Sequence, residues 1–341
     1  MIRVMVAEDS AVTREYLVHI LNQTSILHVV GTVRNGLEAV EQAQRLRPDV
    51  ILMDVHMPVM NGYEATRQIM ERVPTPIVMV SSCMSRDDVA MTLEALKVGA
   101  LTVLEKPDGL GHTDSDKTAK QLQETVKLMA GVKVIHRSPR RDRSAPPPKL
   151  PTGAGLNVQL IAIGASTGGP MILAEILGSL PENFPVPILA VQHIALGFTQ
   201  GLAHWIGQST PLHVKLASHG ILAEAGTVYL APEGTQMGIT KDCQIYLTKG
   251  PTENHFCPSV SHLFQSVAQA FGRSALGILL TGMGQDGAEG LLQLRKTGSV
   301  TIAQDEETSV IFGMPGEAIR LGAAQYVLSP KQIVDLLQGL A

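Results

Sequence analysis

Leu160–Gly169 reads LIAIGASTGG, an apolar run that stops abruptly in a turn of small residues. A short apolar run bounded by glycines reads as a buried strand that hands the chain to a helix. Ser166 stands at the corner, and two roles compete for it. It can cap the following helix with its hydroxyl, or it can attack an electrophile. Gly164-Ala165-Ser166-Thr167-Gly168 fits the G-x-S-x-G nucleophile elbow literally, but that string is short. A dinucleotide loop of the G-x-G-x-x-G kind would need glycine at Ser166, so a pyrophosphate site is disfavoured.

Outward from this stretch the same alternation continues. QLIAIGAS, PILAVQHI, TVYLAP, ALGILLTG and SVTIAQD read as strands separated by helical segments. Before it, residues 131–155 read GVKVIHRSPRRDRSAPPPKLPTGAG, rich in proline, glycine and arginine and without apolar period. That composition marks a linker, part extended and part flexible. Earlier still, RVMVAE, LHVVGTV, VILMDV, PIVMVSS and TVLEKP alternate with amphipathic segments such as Ala11–Gln23, Gly36–Leu46 and Ser85–Lys97. Strands alternating with helices predict parallel sheets covered on both faces. The expected class is α/β with two doubly wound domains. The first is a five-stranded parallel, flavodoxin-like domain over residues 1–125. A linker over 126–155 leads to a second, mainly parallel α/β domain over 156–341.

Bulk properties agree with this division. At about 150 residues per domain, 341 residues make about two. Hydrophobic residues form 45% of the chain, enough for two cores. A formal net charge of -4 argues against a general nucleic-acid grip. The three cysteines are scattered and odd in number, which suits a reducing compartment and gives no disulfide framework. The opening MIRVMVAEDS lacks the order of a signal peptide. No apolar run reaches the ~18 residues of a membrane span. A soluble cytoplasmic protein is expected.

In the first half, Glu8 and Asp9 follow the first strand and Asp54 ends the third. Parallel strands bring their C-terminal ends to one rim, where ligands bind. Three crowded carboxylates need a cation, and hard oxygen ligands suit Mg²⁺. Ser81 ends the fourth strand and Lys106 follows the fifth. A hydroxyl, an ammonium, a metal and a free carboxylate could together receive a phosphoryl group, with Asp54 attacking. The plainer reading is that strand-end acids cap helices, as Asp9 or Ser10 could. It suits any one of these residues better than all five.

The stretches AEDS, DVILMDVHMPVMNG, VMVSS and EKP make this half similar to the receiver domain of two-component response regulators. The resemblance implies phosphorylation of Asp54 by a histidine kinase. It also implies Mg²⁺ held by Glu8, Asp9, Asp54 and the backbone carbonyl of His56, with Ser81 and Lys106 reading the phosphoryl group. Many receivers carry an aromatic switch residue three positions before the lysine. Here that position is Val103.

For Ser166 to act as a nucleophile it needs a base, a group to orient that base, and oxyanion donors. His193 follows PILAVQ at a strand end, as Ser166 does, whereas His204 and His262 fall in helical patterns. His213, His219 and His255 have no such placement. For the orienting acid, LGILLTGMGQDG offers Asp286 and VTIAQDEE offers Asp305. The flanking glycines favour Asp286, and Asp305 remains open. Thr167 and Gly168 lie at a helix start, where unpaired N–H groups favour anions. Met283, in the Gly282–Gly284 loop, could supply another donor.

Residues 156–341 resemble the catalytic domain of chemotaxis protein-glutamate methylesterases. The shared stretches are IGASTGGP, VQH, GFT, GTVYLAP, PSV, LTGMGQDGAEGL, TIAQDEETSVIFGMPGEAI and GAA. The order of receiver, linker and esterase is also that family's. The resemblance implies Ser166 as nucleophile, His193 as base, Asp286 as orienting acid and Met283 N–H as oxyanion donor, with Thr167 beside them. The implied substrates are glutamyl methyl esters, and also glutamines, on the cytoplasmic helices of a methylated chemoreceptor. No cofactor is implied in the esterase domain. Two departures fall near the substrate groove: HIALGFT lacks the usual proline pair, and Ser261 replaces the acid after PSV. The expected regulation is an unphosphorylated receiver that packs over the esterase rim and blocks it. A monomer is expected, peripheral to membranes only through receptors. A receiver-gated adaptor without catalysis is the rival class. A DNA-binding regulator is disfavoured by charge and by the lack of a helix-turn-helix after the linker.

Overall fold

A computed structural model describes residues 1–82, 86–107, 115–132, 134, 157–250 and 256–340. The chain divides into two compact units, Met1–Asp142 and Arg143–Ala341. Residues 133 and 135–155 of the expected linker lie outside the described residues, and the expected boundary at residue 125 falls within a helix that runs to Met129.

In the first unit, strands β1 (Ile2–Ala7), β2 (Leu27–Val33), β3 (Val50–Asp54), β4 (Ile77–Ser81) and β5 (Thr102–Glu105) alternate with helices α1 (Ala11–Asn22), α2 (Gly36–Leu46), α3 (Gly62–Arg72), α4 (Arg86–Lys97) and α5 (Ser115–Met129). The strands form one sheet in the order β2-β1-β3-β4-β5, parallel throughout. β3 and β4 are buried at every position, as continuous apolar runs between two helical layers must be. The helices start where short polar side chains meet orphan backbone N–H groups. Ser10, Asn35 and Asn61 accept from the N–H of Thr13, Glu38 and Glu64. The strand order reverses between β1 and β3, which opens a crevice at their C-terminal ends.

The second unit runs β6 (Leu160–Ala165), α6 (Gly169–Gly178), β7 (Ile188–Gln192), α7 (Thr199–Ser209), β8 (His213–Leu216), β9 (Thr227–Leu230), β10 (Thr235–Ile239) and β11 (Ile245–Lys249). It continues α8 (Val260–Phe271), β12 (Ala275–Leu279), α9 (Ala288–Lys296), β13 (Val300–Gln304), α10 (Met314–Arg320), β14 (Tyr326–Leu328) and α11 (Pro330–Gln338). Seven strands form a parallel sheet in the order β14-β13-β12-β6-β7-β9-β8. β10 and β11 pair as a separate antiparallel hairpin. The expected α/β class with parallel sheets is therefore what the chain adopts.

α8 shows how this sheet is covered. Val260, Leu263, Phe264 and Val267 recur at helical spacing and are fully buried. Each such side chain contributes about 1.5–3 kcal/mol of burial. Gly164 lets the helix approach β6, because a Cβ there would lie 2.1 Å from Val260 Cγ1. β6 lies between β12 and β7, so the switch point of this sheet lies at the end of β6. Among the described residues, no helix is long and apolar enough to cross a membrane.

Candidate functional site

At the first switch point, Glu8 leaves β1 and Asp54 ends β3, both buried, while Asp9 is exposed. Glu8, Asp9 and Asp54 each present an oxygen within 4.8 Å of the others. Lys106 Nζ lies 2.9 Å from both Glu8 Oε2 and Asp54 Oδ1. Burial raises the pKa of Glu8 and of Asp54, against the pull of Lys106. Burial works against the charge of Lys106 too, but its two carboxylate contacts outweigh this and raise its pKa. Three carboxylates facing one ammonium leave an excess of hard oxygen donors, a donor set that fits a divalent cation. Ser81 is buried at the end of β4, and its carbonyl accepts the Lys106 N–H at 2.9 Å. The His56 N–H lies 3.4 Å from Asp54 Oδ1. The side chains of Glu8, Asp9, Asp54 and Lys106 are thus brought together, with the Ser81 backbone bonded beside them. Ser10, rather than Asp9, caps α1. Val103 is buried within β5.

At the second switch point, Ala165 pairs with Gln192 across β6 and β7. Ser166 and His193 are therefore the next residues on adjacent parallel strands, which lie about 4.8 Å apart. The cap reading of Ser166 does not hold: the N-cap of α6 is Gly168, and no side chain caps that helix. Gly168 has φ +79°, and a Cβ there would lie 2.6 Å from Val310. Thr167 and Gly168 form the turn into the uncapped helix end.

The β12 strand feeds the third part. The Thr281 carbonyl accepts the Ser166 N–H at 3.0 Å. A Cβ on Gly282 would lie 2.8 Å from Ser166 Cβ and 2.2 Å from Met314 Sδ, so only glycine lets this loop pass beside the serine. Met283 follows directly, and three residues later Asp286 turns back into the protein. Asp286 Oδ2 lies 3.0 Å from His193 Nε2, at hydrogen-bonding distance but off the N–H axis. Its oxygens also accept from Ser259 Oγ and from the N–H groups of Val260, Ser261 and Gly287, at 2.7–3.0 Å. Burial pushes the Asp286 pKa up, but His193 and these donors outweigh it and hold it at about 2. The carboxylate rests on the N-terminus of α8, where the helix dipole favours an anion. No hydrogen bond joins Ser166 Oγ to His193 among the described residues.

Asp305 is placed otherwise. Its Oδ1 accepts from the N–H and hydroxyl of Thr308, closing its own turn. Among the other histidines, His204 meets Gln208 and His219 meets Leu247, while His255 lies outside the described residues. Ser261, at the family's acid position, accepts the Gly287 N–H at 2.8 Å and so ties the Asp286 loop to α8. The HIALGFT loop is held by Glu233, which accepts from the N–H of Gly197 and Thr199 at 2.8 and 2.9 Å.

Three contributors were missed in the sequence. Phe256 stacks on the His193 ring, with centroids 4.9 Å apart and planes 6° from parallel. Ser259 caps α8 and binds Asp286. Gln192 lies under both Ser166 and His193. The last left one trace, a polar residue ending the apolar run ILAVQ.

Taken together, the fold and the two rims define a two-domain α/β protein. One parallel sheet carries acids and a lysine, and the other carries a serine, a histidine and an aspartate at its switch point. The response regulator receiver domain family matches residues 4–112, and the CheB methylesterase family matches residues 161–337. Protein-glutamate methylesterase/protein-glutamine glutaminase 4 of Geobacter metallireducens is 48% identical over 100% of this chain and 99% of its own length. The corresponding protein 1 of Syntrophus aciditrophicus is 47% identical with the same coverage. The crystal structure of the Thermotoga maritima CheB methylesterase catalytic domain superposes with a TM-score of 0.52 at 37% identity. It covers 54% of this chain and 99% of that one. The chain belongs to the CheB methylesterase family and carries a receiver domain ahead of the methylesterase domain.

Proposed function

We propose that this chain acts in the cytoplasm as a receiver-controlled serine esterase. Its substrates are glutamyl methyl esters on the cytoplasmic helices of chemoreceptors, and it deamidates glutamines there by the same route. The names of its full-length relatives support the reaction class. The observation that carries the site assignment is the contact of His193 with Asp286 beside Ser166, at one sheet switch point.

Ser166 Oγ attacks the ester carbonyl while His193 takes its proton. With Nε2 turned to Asp286, Nδ1 is the nitrogen that receives it. Asp286 stabilises the imidazolium without taking the proton. The N–H groups of Met283, Thr167 and Gly168 face the developing oxyanion, and each such donor is worth about 10²–10³ in kcat. The C–O bond then breaks, and methanol leaves with the proton from His193. Water, activated by the same imidazole, cleaves the acyl-enzyme and frees Ser166 and a glutamate carboxylate. With glutamine the leaving group is ammonia.

In the receiver, Asp54 accepts a phosphoryl group from a histidine kinase. Glu8, Asp9, Asp54 and the His56 carbonyl would hold Mg²⁺, which when bound offsets the charge on the phosphoryl oxygens. Lys106 and Ser81 engage the phosphoryl group. Phosphorylation adds about 1.5–2 negative charges at Asp54 and biases the receiver away from its inhibitory state. A complete reversal from 1:99 to 99:1 takes about 5.5 kcal/mol of differential stability, and a smaller bias gives partial activation.

Methanol release from a methylated chemoreceptor, with wild type and Ser166→Ala, tests this reading. Release lost in the variant is the expected result. Equal release above the enzyme-free background would take the nucleophile's role from Ser166, and release by neither protein would make the chain a receiver-gated adaptor.

A further inference from the structure

The Gln192 side chain is a single amide that touches both halves of the reacting pair. Its Nε2 donates to the backbone carbonyl of Ser166 at 2.7 Å and to that of His193 at 2.7 Å. An amide nitrogen carries two hydrogens, and here both are spent on carbonyls of the two residues that must exchange a proton. The reverse orientation would set Oε1 against two carbonyl oxygens, so the network itself fixes the amide as donor. Gln192 is 5% exposed at the end of a strand that is otherwise apolar. Its Oε1 is buried with no hydrogen-bond partner. A buried amide oxygen left unsatisfied is costly, and the two bonds from Nε2 are what retain the group there.

The space for this amide comes from Gly169. A Cβ on Gly169 would lie 2.2 Å from Gln192 Oε1 and 2.7 Å from Ala165 Cβ. No left-handed backbone requires glycine at this position, unlike its neighbour Gly168. The second glycine of STGG is therefore read as a seat for the Gln192 side chain.

We propose that Gln192 is a positioning residue that clamps the Ser166 and His193 turns together and sets the separation of nucleophile and base. The proposal rests on the assignment of Ser166 and His193 given above. β-ladder bonds end at the Ala165–Gln192 pair and the His193 N–H to Ala165 carbonyl bond. Beyond that point the Ser166 N–H turns to the Thr281 carbonyl on the other side, and the Gln192 amide crosses from the β7 side to the Ser166 carbonyl. A misplacement of about 1 Å at reacting groups costs up to ~10² in rate.

The test uses the full-length chain, with methanol release from a methylated chemoreceptor in the presence of a small-molecule phosphodonor. Gln192→Met keeps the length and removes both donors. Gln192→Asn keeps the amide but is one methylene short. Gly169→Ala displaces the amide from its seat and also presses on Ala165 Cβ, so its loss is assigned to the clamp through the double variant below. Rates are normalised to the folded fraction measured by circular dichroism. All three are expected to lower kcat by about 10–100-fold, with KM changed less than about threefold. Gly169→Ala combined with Gln192→Asn should be no worse than the poorer single variant, because both remove one interaction. A kcat within about threefold of wild type per folded molecule overturns the proposal. So does a loss that appears in KM alone, or full additivity of the pair. Ser166→Ala runs in parallel. If it retains wild-type release, the site assignment has failed; if it is dead while Gln192→Met is fully active, only the clamp has failed.

Discussion

The Asp286 carboxylate reaches the His193 ring, Oδ2 to Nε2 at 3.0 Å, from the strand on the far side of the one that carries Ser166. In the order β12-β6-β7, the acid arrives from the outer neighbour and passes the end of β6 to meet the base. The glycines of the LTGMGQDG loop permit that path, and the N-terminus of α8 receives the acid at its end. Replacing Asp286 by Asn places an N–H₂ group against donors that now find a carboxylate. The expected loss in kcat is about 10³–10⁴, with stability lowered by about 2 kcal/mol or more. Methanol release and chemical denaturation of the same preparation check both.

The low pKa of Asp286 also makes a statement about acid stability. The folded value is about 2 against an ordinary 3.8. A depressed carboxylate stabilises the fold above its unfolded pKa and loses that contribution as pH falls through its folded pKa. The window is therefore about pH 4 down to pH 2, and the contribution at neutral pH is about 2 kcal/mol. Denaturation of wild type and Asp286→Asn at pH 7, 4 and 2.5 should show the gap between them shrinking only in the last step. Above pH 4 the acid limb of kcat/KM must belong to another group.

Ser166→Ala separates chemistry from architecture. A serine that caps a helix costs about 0.5–2 kcal/mol on replacement by alanine. Here α6 is entered through Gly168, without a side-chain cap. The variant should keep its stability to within about 0.5 kcal/mol while activity falls by at least ~10³. A drop in stability of cap size would return Ser166 to a structural role.

Much of this was legible in the sequence, and the limits have physical reasons. LHVVGTV became β2 and Gly36–Leu46 became α2 residue for residue: a β-branched run marks the first, although only its two end residues are buried, and the Asn35 cap marks the second. β8 has four residues, none fully buried, and β14 has three, too few to show a period. The sequence favours Asp286 over Asp305 by its flanking glycines alone, since both acids follow buried strands. The packing separates them: one is drawn into α8 and His193, the other into Thr308. Gln192 and Phe256 stayed hidden for a different reason. Their partners are backbone carbonyls and a ring face, which strand register and loop path bring close and which no residue type announces.

Gly282→Ala probes the approach of the oxyanion loop. Its new methyl would sit 2.8 Å from Ser166 Cβ and 2.2 Å from Met314 Sδ. Met314 is fully buried and part of the core, so the loop must move instead. The shift carries Met283 away from the oxyanion. A fall in kcat of about 10²-fold or more is expected, with a smaller change in KM. An active variant with wild-type kcat would remove Met283 from the oxyanion role.

Control by the receiver yields to three comparisons on one assay. Asp54→Asn removes the phosphoryl acceptor, so a phosphodonor should no longer raise methanol release, while the basal rate stays at its unphosphorylated level. Chelation of divalent cations should have the same effect on wild type, since Glu8, Asp9 and Asp54 crowd three carboxylate oxygens within 4.8 Å and are suited to hold the ion that phosphoryl transfer uses. Deleting residues 1–150 removes the inhibitor with the acceptor, so the basal rate should rise above that of the intact unphosphorylated chain and ignore both phosphodonor and chelator. The seven-stranded sheet and its buried core begin at Leu160, beyond the deleted residues. A truncated enzyme no faster than the intact chain would mean that phosphorylation supplies activation rather than lifting a block. The receiver would then have to contribute to the esterase rim directly.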